Sequence, residues 1–123
     1  MATLVRRATG ATIDALGAPR RAVESQVVYY VVLRRSGPQW DRSRPMEEQS
    51  GWPAHAFFMD GLVDVGFVVL GGPLADELRV ILAVEADSED AVRATLARDP
   101  WSGTHLLIDA IDPWTIRLDG RRT

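Results

Sequence analysis

The sequence contains no cysteine, which excludes disulfides, thiolate nucleophiles and cysteine-ligated zinc or iron–sulfur centres together. Lysine is also missing, so all 14 basic residues are arginine, a usage that reads as codon bias of a GC-rich genome before any chemistry. No apolar run approaches the ~20 residues a bilayer-spanning helix needs, and the first residues lack the apolar core of a signal peptide despite Arg6 and Arg7. A cytoplasmic protein with no membrane partner is expected. An excess of positive charge is absent too. The formal net charge of −3 offers a phosphate backbone no counter-field, so nucleic acid is not an expected partner, and Arg34-Arg35 reads as a solvated strand end. Two histidines among scattered carboxylates show no recognised metal-ligand spacing. Gly71-Gly72-Pro73 lacks the pattern of a phosphate-binding loop and joins two strands instead of opening a helix. Neither a metal nor a cofactor is expected.

What is present suits one packed domain. The chain has 123 residues, 46% of them apolar and 25% charged, an ordinary composition for a globular protein of single-domain length. Residues 1–26, rich in Ala, Thr, Gly and Arg, read as an extension of uncertain order with at most a short helical stretch near Thr12 to Leu16. The domain is expected over 27–119, with 120–123 as a tail.

Val27 to Leu33 (VVYYVVL) is an unbroken apolar run, too short for a typical helix and rich in β-branched and aromatic residues, which predicts a first strand. Arg35 to Gly51, polar and punctuated by Gly and Pro, predicts a long loop. Pro53 suits a helix start, and Ala54, Phe57, Phe58, Leu62 and Val65 then share one apolar stripe before Gly66 stops the helix. Phe67 to Leu70 is the expected second strand, Gly71-Gly72-Pro73 the turn, and Leu78 to Val84 the third strand. Asp87 or Ser88 can cap a second helix, with Glu89 and Asp90 at the positive end of its dipole. That helix is expected to run to about Arg98, because Asp99 precedes a proline. Leu106 to Leu118 is the expected fourth strand. Pro113 within it cannot donate to a ladder, so this strand should be bulged or lie at an edge.

The resulting order, strand-helix-strand-strand-helix-strand, predicts an α+β protein of the ferredoxin-like βαββαβ kind, with an antiparallel four-stranded sheet and two helices on one face. The first strand is apolar at successive positions and so needs cover on its other face. The candidates are the N-terminal extension and a second subunit, and a two-fold homodimer is the favoured cover.

In this topology helix one starts, strand two ends and helix two finishes at the same end. His55, the Gly72-Pro73 turn and Asp99 therefore converge, and His105 lies at that end as well. His55 suits a general base and Asp99 its orienting carboxylate. The same residues also read as a polar helix boundary and a common turn starter. Asp64, nine positions after His55, is about half a turn out of phase and roughly 13 Å along the helix axis, so the two should not touch. Trp52 and Trp101 flank the pair in sequence and suit the walls of an apolar ligand pocket; packing of the core or a dimer contact is the other reading, and the better one for Trp114.

The stretch WPAHAFFMDGLVDVGFVVLGGPLAD, with DSEDAVRATLARDPW and IDPWTI after it, resembles the YciI-like (YCII-related) family over roughly residues 27–118. The marks are a histidine early in helix one (His55), a helix ending in Gly66, the Gly72-Pro73 step and the Asp99-Pro100-Trp101 step. The resemblance implies a dimeric α+β barrel in which a histidine and an aspartate, here His55 and Asp99, are suspected of catalysis, with Asp64 at a variable acidic position as the second choice of acid. Gly72, Pro73, Trp52, Trp101 and His105 would bind a small-molecule substrate. A few relatives are thought to eliminate hydrogen chloride from chlorinated hydroxyquinols, and similar barrels isomerise or oxygenate ring compounds without cofactors. The implied activity is a cofactor-independent lyase or isomerase acting on an aromatic or enolisable metabolite; the alternative is a non-catalytic ligand-binding or regulatory module. Residues 1–26 and the long loop before helix one depart from the shortest family members.

Overall fold

The computed structural model of the chain describes residues 27–121. The expected extension over 1–26, with its helical stretch near Thr12 to Leu16, lies outside the described residues, as does any cover it supplies to the sheet.

The elements follow the expected order: β1 Val27–Arg34, a 3-10 turn Met46–Glu48, α1 Trp52–Asp64, β2 Val68–Pro73, β3 Arg79–Ala86, α2 Glu89–Leu96 and β4 Leu107–Pro113. All strand pairs are antiparallel and the spatial order is β2-β3-β1-β4, an α+β ferredoxin-like arrangement with α1 over β2 and α2 over β3 and β4. Alternation along β1 sends Tyr29, Val31 and Leu33 into the core beneath the helices, where they join Leu62, Leu82, Val84, Val92, Leu96 and Trp101. The opposite face of the sheet carries Val28, Tyr30 and Val32 from β1 with Ile81, Ala83, Leu70 and Leu107 from its neighbours. Leu70 and Leu107 are exposed there. Among the described residues no helix is long and apolar enough to cross a membrane.

The stop of α1 and the start of α2 are as their sequences direct. Gly66 takes φ 82°, Phe67 N donates to Leu62 O at 3.0 Å and Gly66 N to Val63 O at 3.0 Å, the paired bonds of a Schellman stop. Ser88 caps α2, its Oγ accepting from Ala91 N at 3.1 Å. The helix closes at Leu96, two residues before the expected Arg98, and hydrogen-bonded turns carry the chain on to Asp99.

Four expectations are corrected. Gly71-Gly72-Pro73 is not the turn but the second half of β2, paired with Leu82, Ile81 and Val80. Proline is tolerated because β2 is an edge strand and Pro73 its last residue. The turn follows at Leu74 to Leu78, where Asp76 Oδ1 accepts from Leu78 N at 2.9 Å and Arg79 N at 3.1 Å and Glu77 adopts a left-handed φ of 61°. Strand four ends at Pro113 and not at Leu118; it lies at the sheet edge and is also bulged, with Asp109 the extra residue between Ile108 and Ala110. The buried stripe of α1 is misplaced by the sequence pattern. Phe58 and Leu62 pack inward, whereas Phe57 is 83% exposed and Val65 77%. Finally, Arg35 is no solvated strand end, being only 4% exposed.

The loop from Arg35 to Gly51 is a compact surface loop. Gln49 is buried at its centre, donating through Nε2 to the carbonyls of Asp41 (2.7 Å) and Arg44 (2.9 Å) and accepting from Asp41 N (2.9 Å). Its first part lies along the segment before β4, with Gly37 N donating to His105 O at 3.1 Å and Gln39 N to Thr104 O at 2.7 Å. A side chain at position 37 would collide with this backbone, the nearest carbon of His105 lying 2.8 Å from where Cβ would stand.

Candidate functional site

Asp99 turns the chain out of α2 and simultaneously presents its carboxylate. Its Oδ1 accepts from Trp101 N at 2.9 Å, the Asp-turn expected of an Asp-Pro-aromatic step. Both carboxylate oxygens reach His55 on the first turn of α1, at 2.8 and 2.9 Å from Nδ1. The two side chains are buried. A carboxylate only accepts, so Nδ1 carries the proton and the lone pair of the neutral ring sits on Nε2. Nε2 has no hydrogen-bond partner among the described residues.

Trp101 is the centre of the site's packing. It is 1% exposed, and its Nε1 donates to Ser50 O at 2.8 Å, tying the loop before α1 to the loop before β4. His55 stacks on its ring system with centroids 4.0 Å apart, and His105 stacks on it at 4.8 Å. Trp40 meets it edge-on at 5.6 Å and Trp52 packs at 5.9 Å. His105 is held through both nitrogens, Nε2 to Ser50 Oγ and Nδ1 to Thr104 Oγ1, each at 2.9 Å. Burial pushes the His105 pKa below its usual 6.5, the nearby His55 lowers it further, and Asp99 opposes the shift.

Beside this stack a cavity of about 430 Å³ opens between α1 and the β2–β3 half of the sheet, within the usual size of small-molecule sites. From α1 it is lined by Trp52, His55, Ala56, Met59, Asp60 and Val63, one face at the 3.6-residue period. The opposite wall includes Gly71, Gly72 and Pro73. A Cβ on Gly71 would stand 2.5 Å from Leu82 Cδ2, while one on Gly72 would meet nothing within 4 Å.

Of the residues singled out from the sequence, His55, Trp52, Trp101, Gly72 and Pro73 line this cavity, and Asp99 stands behind His55. His105 does not reach it, being on the other side of Trp101. Asp64 is exposed and outside the cavity. Asp60 is the α1 carboxylate on its wall, a position that the i, i+4, i+8 spacing from Trp52 would have indicated. Arg35 and Met46 also line it; a charge that follows an apolar strand gives no sign in sequence of whether it turns inward. Among the described residues no group of three or more His, Asp or Glu is placed to hold a metal ion.

Compared with known proteins, the chain matches no family model, no curated protein and no solved structure.

Proposed function

We propose that the protein is a YciI-like dimeric α+β barrel of the cytoplasm and a cofactor-independent lyase or isomerase acting on a small aromatic or enolisable metabolite. The observation that carries this reading is the buried His55–Asp99 pair at the wall of the 430 Å³ cavity, with Nε2 unpartnered among the described residues. His55 Nε2 takes a proton from the bound metabolite, and Asp99 orients the ring and stabilises the imidazolium that results. In an elimination the electron pair left behind expels the leaving group, a chloride in the case of a chlorinated hydroxyquinol. In an isomerisation the same nitrogen returns the proton to a different carbon. The apolar outer face of the sheet is the surface through which two subunits join.

The test is chloride release from chlorinated hydroxyquinols together with deuterium exchange into enolisable ketones, assayed on the native chain and on His55→Ala. Turnover by the native chain that is lost in the variant, with the fold intact, is the expected result. Undiminished turnover in His55→Ala overturns the reading.

The second reading, a non-catalytic binding or regulatory module, is favoured by the enclosure of His55. The ring is only 8% exposed and stacked on Trp101, so its packing accounts for it without chemistry. Saturable ligand binding with no product distinguishes this case.

A further inference from the structure

Among the described residues Arg35 is the one arginine on the cavity wall, and it is more than nine-tenths buried. A buried guanidinium is costly unless its donors and charge are matched. Here the match is incomplete. Nη1 serves both the carbonyl of Glu77 (3.0 Å) and its carboxylate (3.1 Å), but that carboxylate is itself 73% exposed and therefore solvated. Among the described residues Nη2 meets only the thioether of Met46, at 3.1 Å, a weak acceptor. Nε has no partner among the described residues. The group is also held rigid, lying over the Trp40 ring at 5.0 Å. A fixed, planar, half-satisfied fork at the wall of a largely apolar cavity, whose other ionisable wall groups are His55 and Asp60 on α1, has the properties of a carboxylate receptor.

We propose that the cavity takes a small monocarboxylic acid, its carboxylate on the Arg35 guanidinium and its apolar body against Met59, Val68 and Leu82, within reach of the His55 wall. This rests on the reading of the cavity as a small-molecule site and adds the class of ligand. One guanidinium matches one carboxylate, and the Asp60 carboxylate on the α1 wall, with the apolar lining, disfavours a second negative charge in the same space. Arg35, Met46 and Pro73 also line a neighbouring hollow of about 610 Å³, whose other charged groups are Arg42, Arg44, Glu47 and Glu77. Glu77 is then a competitor as well as a clamp. Its side chain shares the guanidinium with the ligand, and its backbone carbonyl accepts from Arg35 Nη1 as well.

The experiment compares phenylacetate with its neutral isostere phenylacetamide, on the full chain, following the His55 imidazole and the Trp52 and Trp101 indole signals by NMR. The acid is expected to bind about tenfold or more tighter than the amide, as charge-assisted hydrogen bonds require. Arg35→Gln should abolish that preference, weakening the acid far more than the amide. Glu77→Gln, at an exposed side chain, should strengthen binding of the acid and not of the amide, and it stands as the readout if Arg35→Gln does not fold. Equal affinity for the acid and the amide in the native chain overturns the assignment of Arg35 while the small-molecule site survives. Preference retained in Arg35→Gln, or unchanged in Glu77→Gln, overturns it equally. If neither probe moves the His55 or tryptophan signals, the site itself fails and the assignment with it.

Discussion

His55 and Trp101 lie face to face, their ring centroids 4.0 Å apart and their planes within 9° of parallel. The stack places the imidazole more tightly than its hydrogen bond to Asp99 does alone, because a ring held on one face by an indole and on one edge by a carboxylate has little rotational freedom left. Trp101→Ala should therefore destabilise the protein by about 3–5 kcal/mol, the usual cost of deleting a buried large aromatic. Trp101→Phe keeps part of the stack but leaves the Ser50 carbonyl without its donor, at about 1–3 kcal/mol. Urea unfolding of the two variants checks both values.

Asp99→Asn tests orientation apart from packing. The backbone N–H of Trp101 needs an oxygen at Oδ1, so the new amide nitrogen falls at the Oδ2 position and donates to His55 Nδ1. Although the retained oxygen lies 2.8 Å from Nδ1, the amide N–H now aimed at Nδ1 favours the ring with its proton on Nε2, the wrong tautomer for a base on the cavity wall. The expected outcome is a change of tautomer in the 15N shifts of His55 and a loss of about 10²-fold in any turnover that uses it. The fold should be nearly unchanged.

The depressed pKa of His105 gives stability a defined pH dependence. Below its usual 6.5 the unfolded chain takes up a proton that the buried ring resists, so the unfolded state binds more protons and stability rises with pH across that window. The contribution is complete above 6.5 and is lost as the pH falls toward the lower folded-state value. Thermal melts from pH 7.5 down to 5 should show a falling Tm. His105→Gln should flatten that slope while keeping a hydrogen bond to Ser50 or Thr104.

Leu107 lies on the outer face of edge strand β4, paired with Arg34 and 41% exposed. In a single subunit Leu107→Glu should alter stability by about 0.5 kcal/mol or less, as for most surface substitutions. In a dimer joined through this face it buries a carboxylate whose neighbouring cation, Arg34, is already held by Asp109. Sedimentation is expected to report a dimer for the native chain and a folded monomer for the variant.

Local chemistry alone determined much of this protein. The apolar run of β1, the Gly66 helix stop, the Ser88 cap and the Asp99-Pro100 step are each written within a few neighbouring residues, and short-range sterics and hydrogen bonding act at that range. The order of elements followed, and with it the end of the fold where His55, 44 residues from Asp99 in the chain, meets that carboxylate. Only the tertiary structure decided the rest. Gly71-Gly72-Pro73 has the composition of a turn and became a strand because β2 is an edge, where a proline leaves no partner unpaired and Gly71 makes room for Leu82. The face that α1 buries depended on where the helix stands over the sheet, so Phe57 was left in solvent and Asp60 turned toward the cavity. Arg35 reads like its neighbour Arg34, yet Arg34 pairs with Asp109 at the surface while Arg35 is buried between Glu77 and Met46. Alternation along the chain past β1 sends two like residues to opposite faces, and what each then meets is set by distant segments that no local pattern encodes.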